Sequence, residues 1–378
     1  MKKIISVILI LLFFSGFVYA EIDDLDLGID TKEIDRFTND LVKEKDLNLN
    51  FNVKDIVKKI VKGEKIIDSE AIKKNIADIF LKEIKIALGL LSKILIISII
   101  SSILNNLQNS FENSSVSELS NIITYIMIAI LVITSFNDII EMAKLSIDKM
   151  ISFMQVLLPL LLSLLVIGGG PNTKIIFHPM ILSTVNIIGI MIKNFIFPLI
   201  YFSFIISILS NISERAQFKN LTDVARKVII FTITGFFTIF IGLLTIYGLS
   251  SKIDGISIRT AKFAIDNAVP IVGKFLSDSV DAVIGSIGIL KNGIGIMGLM
   301  VLGLIILLPM IKMAVILLVY NLTSAIIEPI ASKNIVKFFE DVSKSITLIL
   351  ISTMSLGIMF FITITIIVEA GNNLLMLR

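Results

Sequence analysis

The strongest constraint on this chain is a series of apolar runs, most of them about 20 residues long, the length an α-helix needs to cross the ~30 Å hydrocarbon core of a bilayer. They are Ile86–Leu104, Leu119–Ile140, Met150–Gly168, Ile175–Lys193, Asn194–Ile212, Val228–Leu249, Gly295–Ile327 and Ser345–Val368. Hydrocarbon offers no water to bond the backbone, so such segments become helices that satisfy their own N–H and C=O groups. The expected fold is all-α, a polytopic membrane protein with about eight transmembrane helices. Composition agrees, since the 378 residues are 55% hydrophobic and only 17% charged, more apolar than a soluble core requires. Two stretches carry breaks. Ile175–Ile212 is too long for one helix and reads as a tight hairpin broken near Lys193–Pro198. Gly295–Ile327, interrupted by Pro309 and Lys312, reads as one tilted helix or two half-helices.

The chain opens with Lys2 and Lys3, an apolar run from Ile4 to Phe14, and small residues around Ala20. This is the pattern of a cleavable signal peptide over residues 1–20. Residues 21–85 form the one substantial polar region, acidic at Glu21, Asp23, Asp24 and Asp26 and lysine-rich later. Ile56, Ile60 and Val61 suggest one amphipathic helix there; Ile72, Ile76, Ile79, Phe80 and Ile84 suggest a second, capped near Asp68-Ser69 and running toward the membrane. A small extracytoplasmic helical region is expected, followed by a multispanning domain over residues 86–378. Counting spans from an external residue 21 puts Ser213–Lys227 and Glu328–Lys344 in the cytoplasm, where Arg215, Lys219, Arg226, Lys333 and Lys337 obey the positive-inside rule.

The net charge of +3 is small and the basic residues are scattered, which excludes nucleic acid as a partner. There is no cysteine, and the single histidine, His178, stands directly before Pro179. With no second donor or base to join it, His178 reads as a helix-end polar residue, and neither a metal site nor a cofactor site nor a nucleophile–base pair is expected. No phosphate-binding glycine loop is present either. An enzyme is therefore not expected.

The polar residues that stand out lie elsewhere. Lys312 sits deep in an apolar run and Glu328 precedes Pro329 at a helix end; intramembrane ionisable groups are the usual functional candidates in a bilayer. The segment 250–294 is amphipathic although it joins two spans, with Ile265, Val269, Val272, Leu276, Val280 and Val283 at helical spacing. Its polar side mixes Arg259, Lys262, Asp266, Asp278, Asp281 and Lys291; Pro270, Gly273 and Gly285 lie in the same segment and Gly295 just beyond it, and the glycines let helix backbones approach closely. That mixture suits a wet protein contact or the rim of an aqueous cavity better than lipid. Residues alone leave two functions open, a subunit that contacts partners through this segment and a permease moving a small solute at the interrupted Gly295–Ile327 span.

Arg259–Leu299, reading RTAKFAIDNAVPIVGKFLSDSVDAVIGSIGILKNGIGIMGL, resembles the most characteristic region of the stage III sporulation protein AE family, and IIEPIASKNIVKFFEDVSKSI around Glu328 extends the likeness. The resemblance implies a non-enzymatic subunit of the secretion-like channel complex joining mother cell and forespore in endospore formers, supporting late forespore gene expression. It implies ring-forming membrane proteins and a cytosolic ATPase as partners. It also implies residence in the mother-cell (outer forespore) membrane, with the N-terminal region in the intermembrane space.

Overall fold

The computed structural model describes residues 34–38, 58–59, 64, 69–109, 114–167, 180–181, 183–184, 186–212, 218–268, 272–329 and 331–376, with the backbone alone at 69–73, 101, 104–109, 114–120, 219, 247–268, 272–284 and 370–376. Among the described residues there is no strand. The chain is a bundle of long helices: α1 Ser69–Asn109, α2 Ser114–Ile167, α3 Asn186–Ile212, α4 Lys219–Ala268, α5 Val272–Ile327 and α6 Lys333–Met376. Five of them, α2 to α6, are long and apolar enough to cross a membrane. The signal-peptide region and His178 lie outside the described residues, as do Ile175–Pro179, Leu182 and Val185 of the Ile175–Lys193 run.

Several breaks expected from sequence are absent, each for a local reason. Leu119–Ile140 and Met150–Ile167 belong to the single helix α2, because the intervening EMAKLSIDK contains good helix formers and neither glycine nor proline. At 1.5 Å per residue its 54 residues extend roughly 80 Å, well over twice the hydrocarbon thickness. The expected hairpin break at Lys193–Pro198 is instead a π-helical turn, Ile192–Ile196, within α3. Pro198 lacks an N–H and its ring would crowd the carbonyl four residues back. The turn widens so that Phe197 N–H donates to the Ile192 carbonyl. α5 likewise runs unbroken through Pro309. The carbonyl that a helical residue 309 would have bonded is that of Ile305, and Ser146 on α2 donates its hydroxyl to it at 3.3 Å. A neighbouring helix thus supplies the donor that proline removes.

Contacts fix the directions. Tyr125 donates to the Ile208 carbonyl at 2.8 Å and Asp148 meets Lys193, so α2 and α3 are antiparallel. Tyr320 lies beside Phe339 with ring centroids 5.9 Å apart, Ile306 against Gly357 and Gly295 against Val368, so α5 and α6 are antiparallel along their length. One hydrophobic core runs from the Tyr125–Phe338 contact to Ile367. A short helical segment at 34–38 joins it, with Ile34 buried and Phe37 at 5.4 Å from Phe153. α1 docks through Ala87 and Leu91 on Val315 and Val319 of α5. It begins at Ser69 and continues past residue 85 without interruption, so the polar N-terminal region and the membrane domain share this helix.

Candidate functional site

The glycines in α5 do the packing work their size allows. A Cβ on Gly298 would meet Leu157 of α2 at 2.5 Å and one on Gly295 would run into Val368 of α6, whereas Gly285 has open space around it. The same stretch holds Lys291, only 2% exposed, with neither its Nζ nor the adjacent Asn292 Oδ1 hydrogen-bonded. Glu369 at the upper end of α6 is its electrostatic neighbour. Lys291 therefore belongs to the bundle interior in this structure, not to an exposed contact face. Lys312 lies mid-helix in α5 and is half-buried, so the half-helix alternative does not apply to it. Glu328 is exposed in the turn that ends α5, its N–H bonded to the Ser324 carbonyl at 3.0 Å.

The amphipathic 250–294 segment is not a loop. Arg259, Lys262 and Asp266 continue α4, while Gly273, Asp278, Asp281 and Gly285 open α5. Pro270 lies outside the described residues, as do the side chains from 247 to 284. Of the sequence-selected site between residues 250 and 284 the structure thus describes the backbone of two helices.

Three polar constellations are visible that residue patterns did not single out. At the basic end, Arg226 of α4, 13% exposed on its side chain, reaches Asp341 Oδ1 of α6 at 3.1 Å and Ser207 Oγ of α3 at 3.4 Å. Asn211 donates to the other Asp341 oxygen at 3.2 Å, and Lys344 stands 3.6 Å from the same carboxylate. One carboxylate thereby ties three helices, and the two basic loops end on the same side of the bundle. Asp341 follows Lys333, Lys337 and Glu340, and nothing in that local pattern marks it as an inter-helix partner.

The second constellation is on α2 and α3. Lys193, carried by the π turn, holds both Asp148 oxygens at 2.7 and 2.9 Å, and two turns further Gln155 donates to Asn186 at 2.9 Å. Gly189 admits the Ile151 side chain between these pairs.

The third continues the same face of α2 downward, where Asn137, Asp138 and Glu141 are exposed and Lys144 is half-buried. The signal available in sequence was polar residues recurring every three or four positions from Thr134 to Gln155, across two apolar runs and the stretch between them. Reading 141–149 as a connection between spans concealed it. No cluster of three or more metal-ligating side chains occurs among the described residues.

The profile of the stage III sporulation protein AE family matches residues 51–371. Stage III sporulation protein AE of Bacillus subtilis (strain 168) is 33% identical over 352 residues, covering 93% of this chain and 88% of that protein. No solved structure matches the chain.

Proposed function

The chain belongs to the stage III sporulation protein AE family, and on that footing we propose that this sporulation membrane protein is a non-enzymatic subunit of the channel complex linking mother cell and forespore. The observation that carries the proposal is the extent of the family match, 93% of the chain, over a bundle whose polar side chains tie helices to one another. It works with ring-forming membrane proteins and a cytosolic ATPase, and its place is the mother-cell (outer forespore) membrane. The cleaved signal peptide at residues 1–20 leaves the 21–85 region in the intermembrane space, and the Arg259–Asp281 stretch faces the same compartment as a partner contact.

Recovery of the tagged chain from membranes of sporulating cells tests this. Ring-forming proteins and the ATPase are expected to come with it, and their absence under conditions that preserve membrane complexes overturns the proposal. Substrate-specific solute uptake by the purified chain alone in liposomes would favour a stand-alone permease instead. Orientation is tested separately with cysteines at Lys262 and Asp278. An impermeant thiol reagent applied from the intermembrane side is expected to modify both, and labelling from the cytoplasmic side only refutes the topology.

A further inference from the structure

The exposed face of α2 changes character along its length. Near its start it presents Ile123, Ile126, Met127 and Ile130. Between Ile130 and Ile167 the one exposed large aliphatic side chain is Leu145; from Asn137 to Gln155 the other outward positions carry Asn137, Asp138, Glu141, Ser152 and Gln155, with Asp148 half-buried among them and Thr134 and Pro159 exposed at either end. This stripe is level with the middle of the apolar run of α6. Ser146 is level with Ile305, through the hydroxyl–carbonyl contact, and the next residue, Ile306, packs on Gly357. Gly357 is the midpoint of the Ser345–Val368 run. At 1.5 Å per residue, Glu141 to Gln155 fall within about 15 Å of that level, inside the half-thickness of the hydrocarbon core.

α4 supplies the reference at the same depth. Its Leu244 remains in the core, so from the Arg226–Asp341 contact α4 must run alongside α6. Ile241 then lies about 22 Å beyond Arg226, and Gly357 about 24 Å beyond Asp341. At this level α4 exposes Ile239 and Ile241, a surface suited to lipid. A carboxylate has no such option: it accepts only, and helix N–H groups in mid-helix are already used. Placing charges against hydrocarbon costs about 2.5–3.5 kcal/mol each on insertion scales, so the stripe needs water.

We propose that the Asn137–Gln155 face of α2 lines a confined, hydrated path across the membrane, the path's remaining walls coming from other protein in the assembly. Along it Asp138, Glu141 and Asp148 alternate with Lys144 and the Lys193 head group. With both signs of charge present, the path suits small hydrophilic solutes irrespective of charge better than a single ion type. This deepens the channel-subunit proposal but stands on the surface chemistry of α2 alone.

The chain has no cysteine, so single substitutions E141C, S152C and Q155C, with I239C and I241C as references, can be probed in the full-length protein in membranes of sporulating cells. A small impermeant cationic methanethiosulfonate should modify the α2 positions roughly tenfold or more faster than the α4 positions, since a thiol against lipid neither ionises nor meets the reagent. A polymer-linked maleimide too bulky for a narrow path should leave the α2 positions unmodified while labelling every variant after denaturation. Equal small-probe rates on the two helices, or no reaction on α2, overturn the proposal. Equally, bulky-reagent labelling of α2 as fast as small-reagent labelling would mean an open solvent face and overturn the path. S152C and Q155C are mild changes that keep the test valid should E141C fail to fold. Recovery of partners from the same membranes reports the channel-subunit proposal independently.

Discussion

α2 and α4 are both long, both apolar by composition and both outward-facing, yet they solve the problem of surface polar groups differently. On α4 beyond Lys227 the polar outward residues are threonines that donate back to their own helix, Thr232 to Val228, Thr234 to Ile230, Thr238 to Thr234 and Thr245 to Ile241, all at 2.8–2.9 Å. Phe231, 80% exposed, Ile239 and Ile246 fill the rest of that face. On α2 the outward residues over Asn137–Gln155 include carboxylates, a lysine and amides, which a helix cannot satisfy internally. Equal hydropathy thus hides two different environments. Back-bonded threonine tolerates lipid, and ionised side chains demand water or a protein partner.

That contrast is most sharply broken by placing the same charge on both helices. I239K on α4 should lower stability or membrane integration by about 3 kcal/mol, whereas S152K on α2 should change it by less than about 0.5 kcal/mol; comparable losses in a steric-trapping or detergent-unfolding measurement would erase the distinction. Next in size, R226M removes the cation that anchors the root of α4 to Asp341, leaving a largely enclosed carboxylate with only Asn211 and the exposed Lys344 as partners. A loss of about 3 kcal/mol, discounted toward 2 for partial exposure, is expected, and D341N in the same background should restore part of it. G298V tests the buried side that α2 offers to α5, where Leu157 leaves no room. Overpacking there should cost about 1–3 kcal/mol, and thermal unfolding in detergent will show it. The smallest effect is expected on the α2–α3 face itself. Asp148 and Lys193 are 48% and 34% exposed on their side chains, so D148N should cost no more than about 1 kcal/mol. A much larger loss would mean that this pair is sealed from water by a partner.

The class of fold was legible because it rests on composition and run length, properties each segment carries alone. Helix caps and pauses were legible in part: α1 begins at Ser69 and α5 ends at the turn before Pro329. Continuity was not. Whether EMAKLSIDK is a loop or the middle of α2, or whether Pro198 ends a helix or widens it to a π turn, depends on what stands opposite. For the candidate site, Lys312 and Glu328 stand out in sequence by their isolation among apolar residues. Asp341, Asp148 and Ser146 were missed because their significance lies in partners 115, 45 and 159 residues away.

Run length was enough, from sequence, to make this chain a helical membrane protein, because bilayer thickness and backbone hydrogen bonding leave apolar segments no other form. The tertiary structure decided where those helices are allowed to continue and which face of each meets lipid. Ser146 lets α5 pass Pro309 by bonding the Ile305 carbonyl, and the packing of α2 turns its charges outward while α4 turns its isoleucines outward. Both outcomes depend on side chains distant in sequence occupying the same level of the bundle, a relation that no single segment contains.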